Sequence, residues 1–326
     1  MSPTLFCVYL DELIIELRKL GLGCYMAGLW MGACSYADDL LLLAPNRGAM
    51  AKMLETCELY AEKHNLQFST DTDPIKSKSK CIFMTGTRLR RTPKPANLCL
   101  YGVELPWVVS ATHLGHELHQ DTNMEFDCKS KRAQFIQNST SVRETFKFAD
   151  PEQVLQAVKV YYCDFYGSML WDLYGVQAEQ LYRCWNTCVK LSWDVPRSTH
   201  TFFVDGLLGC GFPTSRQQIL SRYVKFYRSL LNSPSHEVAV VARLVGKDAK
   251  SVTGKNLLNI RLETKLNVFS APLQKIKDAI SLATPPAPEQ WKLYLLDKYI
   301  SSSKDLRNGC EDTSCLNNLI DSFCST

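Results

Sequence analysis

Ser35-Tyr36-Ala37-Asp38-Asp39-Leu40-Leu41-Leu42-Leu43-Ala44 decides how this chain is read. Two adjacent carboxylates stand at the head of a run of four leucines, with a tyrosine two residues before them. Ionised carboxylates are almost never buried without a partner, so an Asp-Asp pair inside an apolar hairpin calls for a compensating cation. Residues Cys24 to Ala33 read as one strand and Asp39 to Ala44 as a second, and Ser35 to Asp39 falls between them as the turn of a buried hairpin. Mg²⁺ takes hard oxygen ligands and is commonly held by one or two carboxylates plus substrate phosphates. A tight turn can present such a pair at a sheet edge, as nucleotidyl transfer with two metal ions requires. The plain alternative is a solvated turn, which an Asp-Asp pair also favours.

Working outward, Leu5, Tyr9, Leu10, Leu13, Ile14, Leu17 and Leu20 recur at helical spacing behind Ser2-Pro3, a capping serine and first-turn proline. Downstream, Ala49, Met50, Met53, Leu54, Cys57, Tyr60 and Ala61 predict an amphipathic helix. Leu66 to Thr70 and Cys81 to Thr85 are strand candidates flanking a lysine-rich loop. Leu98 to Val103 with His113 to Leu118 predicts a further hairpin through Pro106. Beyond Asn123 helical periods dominate, over Phe126 to Phe148, Pro151 to Tyr174, Gln177 to Trp193, Thr214 to Leu231 and Pro286 to Ile300. Gly209 to Pro213 and Thr284 to Pro288 are the expected joints.

The hairpin motif and its surroundings resemble the reverse transcriptases of non-LTR (LINE-type) retrotransposons, whose metal-binding turn is Tyr-Ala-Asp-Asp, here Tyr36 to Asp39. Ser2-Pro3-Thr4-Leu5-Phe6 with Tyr9-Leu10-Asp11-Glu12-Leu13 is similar to the end of the family's nucleotide-contacting motif. Leu66-Gln67-Phe68-Ser69 with Lys76-Ser77-Lys78-Ser79-Lys80-Cys81 resembles the segment that supplies a lysine near the incoming triphosphate. Leu100-Tyr101-Gly102-Val103 with Thr112-His113-Leu114-Gly115 is similar to the hairpin that grips the primer. The resemblance covers Ser2 to Leu118.

It implies an α+β fold: a partial right-hand polymerase palm over residues 1–120, then an all-α part with a thumb-like region over 121–208 and a helical region of unassigned role over 209–326. It implies RNA-directed DNA synthesis from dNTPs, with RNA template and DNA primer as partners and Mg²⁺ in a two-metal site. Asp38 would be a metal ligand, Asp39 a second ligand or orienting carboxylate, and Tyr36 would lie against the primer's terminal nucleotide. Lys78 would serve the leaving pyrophosphate, and Gly102, His113, Leu114 and Gly115 would form the primer grip. The family's first metal-binding aspartate lies upstream of the Ser-Pro-x-Leu-Phe block, where this chain begins, so the chain is expected to be inactive alone. A non-catalytic RNA- or DNA-binding protein is the rival expectation.

From Pro74 to Val103 there are seven basic residues, Lys76, Lys78, Lys80, Arg88, Arg90, Arg91 and Lys94, and no acidic one. Such a patch favours phosphate backbones through counterion release, although a solvated basic face has the same composition. Lys129, Lys131, Arg132 and Arg143 on the helix that follows are candidates for tracking a duplex. Tyr161, Tyr162, Phe165, Tyr166, Trp171, Tyr174, Tyr182, Trp185 and Trp193 follow helix faces and read as core before they read as base-stacking groups. Fourteen cysteines among 326 residues are too few for a disulfide scaffold, which predicts free thiols and no disulfide-linked partner. Cys184/Cys188 and Cys310/Cys315/Cys324 lack the second pair of a zinc site. No apolar run approaches the roughly 20 residues of a membrane span, and no secretory leader opens the chain. These features predict an intracellular protein, nuclear or cytoplasmic, that is not secreted.

Overall fold

The computed structural model describes residues 3–73, 75–84, 95–121, 124–162, 165–198 and 214–282. The chain is a mixed α and β protein that divides into two compact units. The first contains residues 1–127 and 233–243, and the second contains 128–232 and 244–326.

In the first unit, helix α1 (Pro3–Lys19) is followed by a small hairpin, β1 (Tyr25–Met26) with β2 (Leu29–Trp30), and by a longer one, β3 (Ala33–Tyr36) with β4 (Asp39–Leu42). Helix α2 (Arg47–Lys63) starts at Asn46, whose side-chain oxygen accepts from the Ala49 N–H at 2.9 Å. Its Ala49, Met53, Leu54, Cys57, Tyr60 and Ala61 are buried at the spacing that one helix face dictates. Met53, Cys57 and Tyr60 meet Leu10, Leu13 and Leu17 of α1 and Trp30, with Leu40 and Leu42 of β4 packed against that cluster, while Leu54 packs with Leu98, Leu100 and Leu105. The Tyr60 hydroxyl ties α2 to α1 by donating to the Tyr9 carbonyl.

Three further two-stranded pairings complete the unit. Strand β5 (Cys81–Ile82) runs parallel to β8 (Trp107–Val108), while β6 (Cys99–Leu100) pairs with β7 (Val103–Glu104) and β9 (Ser110–His113) with β10 (His116–His119). The single long hairpin expected between Leu98 and Leu118 is therefore two local ones. Tyr101-Gly102 and Leu114-Gly115 are their turns, each with positive φ at both positions (53° and 72°, 49° and 76°), the geometry of the tightest hairpin connection. Likewise Cys24 to Ala33 is not one strand, because Ala27-Gly28 turns the chain in the same way. Leu66 to Thr70 carries no ladder and is a loop.

The second unit is helical. It is built from α3 (Glu125–Thr145, whose first turn belongs to the first unit), α4 (Pro151–Tyr162), α5 (Val176–Ser192), α6 (Ser215–Leu231), the end of α7 (His236–Lys247), α8 (Val252–Thr264) and α9 (Leu273–Leu282). The helix expected over Pro151 to Tyr174 stops at Tyr162, and the chain turns through Phe165 and Gly167, both at positive φ. Helices α7, α8 and α9 were not anticipated. Phe165, Trp171, Tyr182 and Trp185 are core, but Tyr161 and Tyr166 are exposed. The joint at 209–213, the joint at 284–288 and the stretch 286–300 lie outside the described residues.

Candidate functional site

The β3–β4 hairpin has a two-residue turn, Ala37-Asp38, and its register pairs Tyr36 with Asp39, Ser35 with Leu40, Cys34 with Leu41 and Ala33 with Leu42. Directly opposed residues share a face. Ala33, Ser35, Leu40 and Leu42 thus form one face, and Leu40 and Leu42 anchor it on α1 and α2. Cys34, Tyr36, Asp39 and Leu41 form the other. Ala37 adopts φ 50°, a left-handed conformation that costs a residue with a β-carbon and that tends to gather at functional sites.

The expectation of a buried turn is corrected here. Tyr36, Ala37, Asp38 and Asp39 are all exposed, Tyr36 at 68%. Only the leucines after them are drawn inward, so the carboxylates keep their hydration and need no buried counter-charge. Neither aspartate's carboxylate has a hydrogen bond or ion pair among the described residues. The interior beneath is apolar: burial, helped by the neighbouring Glu58 charge, pushes the Cys57 thiol up to about 12.

Lys76, Lys78 and Lys80 are exposed on the loop before β5. Between them Ser77 is buried, its hydroxyl donating to the Ser79 carbonyl at 2.6 Å and accepting from the Asp71 N–H at 3.4 Å. The alternation of inward serine and outward lysine fixes three ammonium groups on the solvent side. Burial pushes the thiol of Cys81, next in the chain, up to about 11. Arg88, Arg90, Arg91 and Lys94 lie outside the described residues.

Gly102, Leu114 and Gly115 are turn residues of the two local hairpins, and half-buried His113 pairs with His116 across β9 and β10. This hairpin is held to the start of α3 by Asp127. Its buried carboxylate accepts from the Glu117 N–H at 3.3 Å and lies 3.7 Å from Nδ1 of His116. In the helical unit, Lys129 is exposed and Lys131 half-buried, while the Arg132 guanidinium donates to Gln180 and, at 3.5 Å, to Gln177. Arg132 is thus engaged within its own unit.

Among the described residues no three His, Cys, Asp or Glu side chains come together as a metal site. Asp38 and Asp39 offer two adjacent, solvent-facing hard-oxygen donors, which suits part of a Mg²⁺ coordination shell that substrate phosphates complete. Cys24, Cys34, Cys57, Cys81, Cys99, Cys128, Cys184 and Cys188 are free thiols. No described helix is long and apolar enough to cross a membrane.

The sequence reading missed the sharing of one face by Cys34, Tyr36, Asp39 and Leu41, and the anchoring role of Ser77. Counting by twos from Asp39 would have found Leu41 beside it; nothing local marks Ser77. No protein-family model matches the chain, and no curated protein matches it.

Proposed function

We propose that the chain is the palm-and-thumb part of an RNA-directed DNA polymerase of the non-LTR retrotransposon kind, with Asp38 and Asp39 as the carboxylate edge of its nucleotidyl-transfer site. One observation carries the reading: a tight turn lifts two unpartnered carboxylates clear of the core, with Tyr36 beside Asp39 on the outward face. In this reading Asp38 is the principal Mg²⁺ ligand and Asp39 assists it. Tyr36 lies against the primer terminus, and Ala37, with its single methyl, keeps the turn thin enough for a duplex to approach. Bound Mg²⁺ would neutralise charge developing on the departing pyrophosphate. The exposed Lys78, with Lys76 and Lys80, would meet phosphates. Template RNA, primer and dNTP are the partners of this reading, in the nucleus or cytoplasm.

Two-metal chemistry needs a further carboxylate, and the described residues bring none to Asp38. In this reading it comes from outside them, and the Asp38-Asp39 turn is one part of the site. A non-catalytic nucleic-acid-binding protein is the second reading, favoured by the same incomplete carboxylate set together with the lysine loop.

The test is Mn²⁺, a paramagnetic substitute for Mg²⁺, added to the full chain with a primed RNA template and dNTP. Selective broadening of the Ala37 to Leu40 amide signals, lost in Asp38→Ala while template binding persists, is the expected result. Salt-sensitive template binding with no broadening at the hairpin would leave the binding protein as the function. Absence of both would overturn the two readings together.

A further inference from the structure

Helix α8 is apolar on two opposite faces. Inward, Leu257, Ile260 and Thr264 are buried beside Asn256. Outward, Lys255, Leu258 and Leu262 recur at i, i+3 and i+7, one row along the helix, with Leu258 46% and Leu262 67% exposed. Exposed Arg261 and Lys265, the latter at the left-handed C-cap, flank the C-terminal end of that row. None of these three cations has an ion pair among the described residues. A solvated basic face has no use for two leucines, and a phosphate backbone would satisfy the cations while leaving the leucines wet. The surface calls for an occupant both acidic and apolar.

A surface of that chemistry stands on another helix of the same unit. Helix α4 packs on α5 and turns its far side to solvent. There Glu152, Gln156 and Val160 form one row and Gln153, Ala157 and Tyr161 the next, along an open groove of about 740 Å³ that Asp150 also lines. Val160 is 60% and Tyr161 72% exposed. The described lining has carboxylates at the start of α4, apolar groups at its end, and no Lys, Arg or His. Neither Asp150 nor Glu152 has an ion pair among the described residues. At 1.5 Å per residue the row from Lys255 to Lys265 is about 15 Å long and that from Glu152 to Tyr161 about 14 Å, so the two faces match in length as well as in charge. A nucleic acid would suit the cations of α8 and be repelled by the α4 groove. A second copy of the chain covers both faces at once.

We propose that α8 of one copy of this chain docks antiparallel in the α4 groove of a second copy. Arg261 and Lys265 then face Asp150 and Glu152 of the second copy, and Leu258 lies over its Ala157 and Val160. The two surfaces differ, so the contact is head-to-tail: every copy offers one face of each kind, and association proceeds until a ring closes or a filament runs on. One helix face in one groove is a small interface, which makes the association weak and dependent on concentration. The proposal does not depend on the nucleotidyl-transfer reading.

Sedimentation equilibrium of the full chain tests it through a mixing experiment. The mass of the unaltered chain should rise above that of a monomer with concentration and return to it at high salt. Leu262→Asp removes the α8 face and Val160→Lys the groove; both positions are exposed, and unchanged circular dichroism shows the variants folded. Each variant alone should be a monomer, while the two mixed in equal amounts should form a dimer and nothing larger, because each supplies the face that the other lacks. Carbodiimide, which joins carboxylates to amines already in contact, should link Lys265 to Asp150 or Glu152 between isotopically distinct copies. A monomeric unaltered chain, association indifferent to either variant, a mixture that stays monomeric, or links confined to single chains would overturn the proposal. Binding of a chain that stays monomeric to phosphatidylserine vesicles, abolished by Leu262→Asp, would also overturn it and assign the α8 face to a membrane surface.

Discussion

Around the aspartate turn, single residues are held to close tolerances. Gly32 lies against the Trp30 ring: a β-carbon there would come within 2.6 Å of Cε2 and Cζ2. Trp30 cannot swing away freely, since its Nε1 donates to the Leu22 carbonyl and the Arg18 guanidinium covers its face at 5.6 Å. Gly32→Ala should therefore destabilise the α+β unit by about 1–3 kcal/mol, the usual cost of overpacking. It should appear as a lower urea midpoint at unchanged slope. Gly48→Ala, whose new methyl meets only Asn46 Oδ1 at 3.4 Å, is the control and should leave the midpoint unchanged or raise it. At this scale the Asp38-Asp39 pair was legible in the sequence, but its exposure was not. Four successive leucines carry no polar and apolar alternation, so nothing local says which of them turn inward.

Between elements, the helical unit depends on a few polar clamps. Asn256 on α8, fully buried, donates to the Trp171 carbonyl at 2.8 Å and accepts from the Leu173 N–H at 3.0 Å, holding that connection against the helix. Asn256→Ala leaves both backbone groups without their partner, at about 1–3 kcal/mol each. Thermal melting of the helical unit should show the loss as the larger of the two substitutions, with faster hydrogen exchange at the Leu173 amide as its local signature; an unchanged exchange rate would refute the clamp. Helices such as α5 and α6 were readable because their apolar residues gather on one face. Helix α8 escaped because Leu258 and Leu262 face outward while Leu257 and Ile260 face inward, which blurs its period. The local hairpins at Tyr101-Gly102 and Leu114-Gly115 did carry a signal, a residue-glycine pair between short apolar stretches, that the longer pairing had overridden.

Across the whole molecule, buried ionisable groups bound the pH range of stability. Burial raises the Glu263 carboxyl, but hydrogen bonds from Arg216 and Tyr174 and the Arg216 charge outweigh it and hold the group below 4.5. A lowered carboxyl stabilises the fold above its unfolded value and loses that contribution as pH falls through the folded one. At the other end, burial raises the phenols of Tyr174, Tyr182 and Tyr223, the last to about 12. Unfolded tyrosines ionise near 10.0 while these keep their protons, so stability is full below that pH and falls above it. Urea midpoints against pH should give a plateau from about 5 to 9 with a fall on each side. Tyr223→Phe should flatten the alkaline limb, and a limb unchanged by it would refute the assignment. The sequence by itself determined the succession from mixed α and β to helix, the apolar faces of α1 and α2, and the carboxylate pair of the Tyr36 to Asp39 turn, because periodicity and residue type are local properties. Only the tertiary structure decided that the turn stands in solvent, that Asp39 and Tyr36 share the outward face, and that Arg132 is engaged by Gln177 and Gln180. Those outcomes depend on where Leu40 and Leu42 find a core on α1 and α2, and on which side chains distant segments bring together, and no window of sequence contains that information.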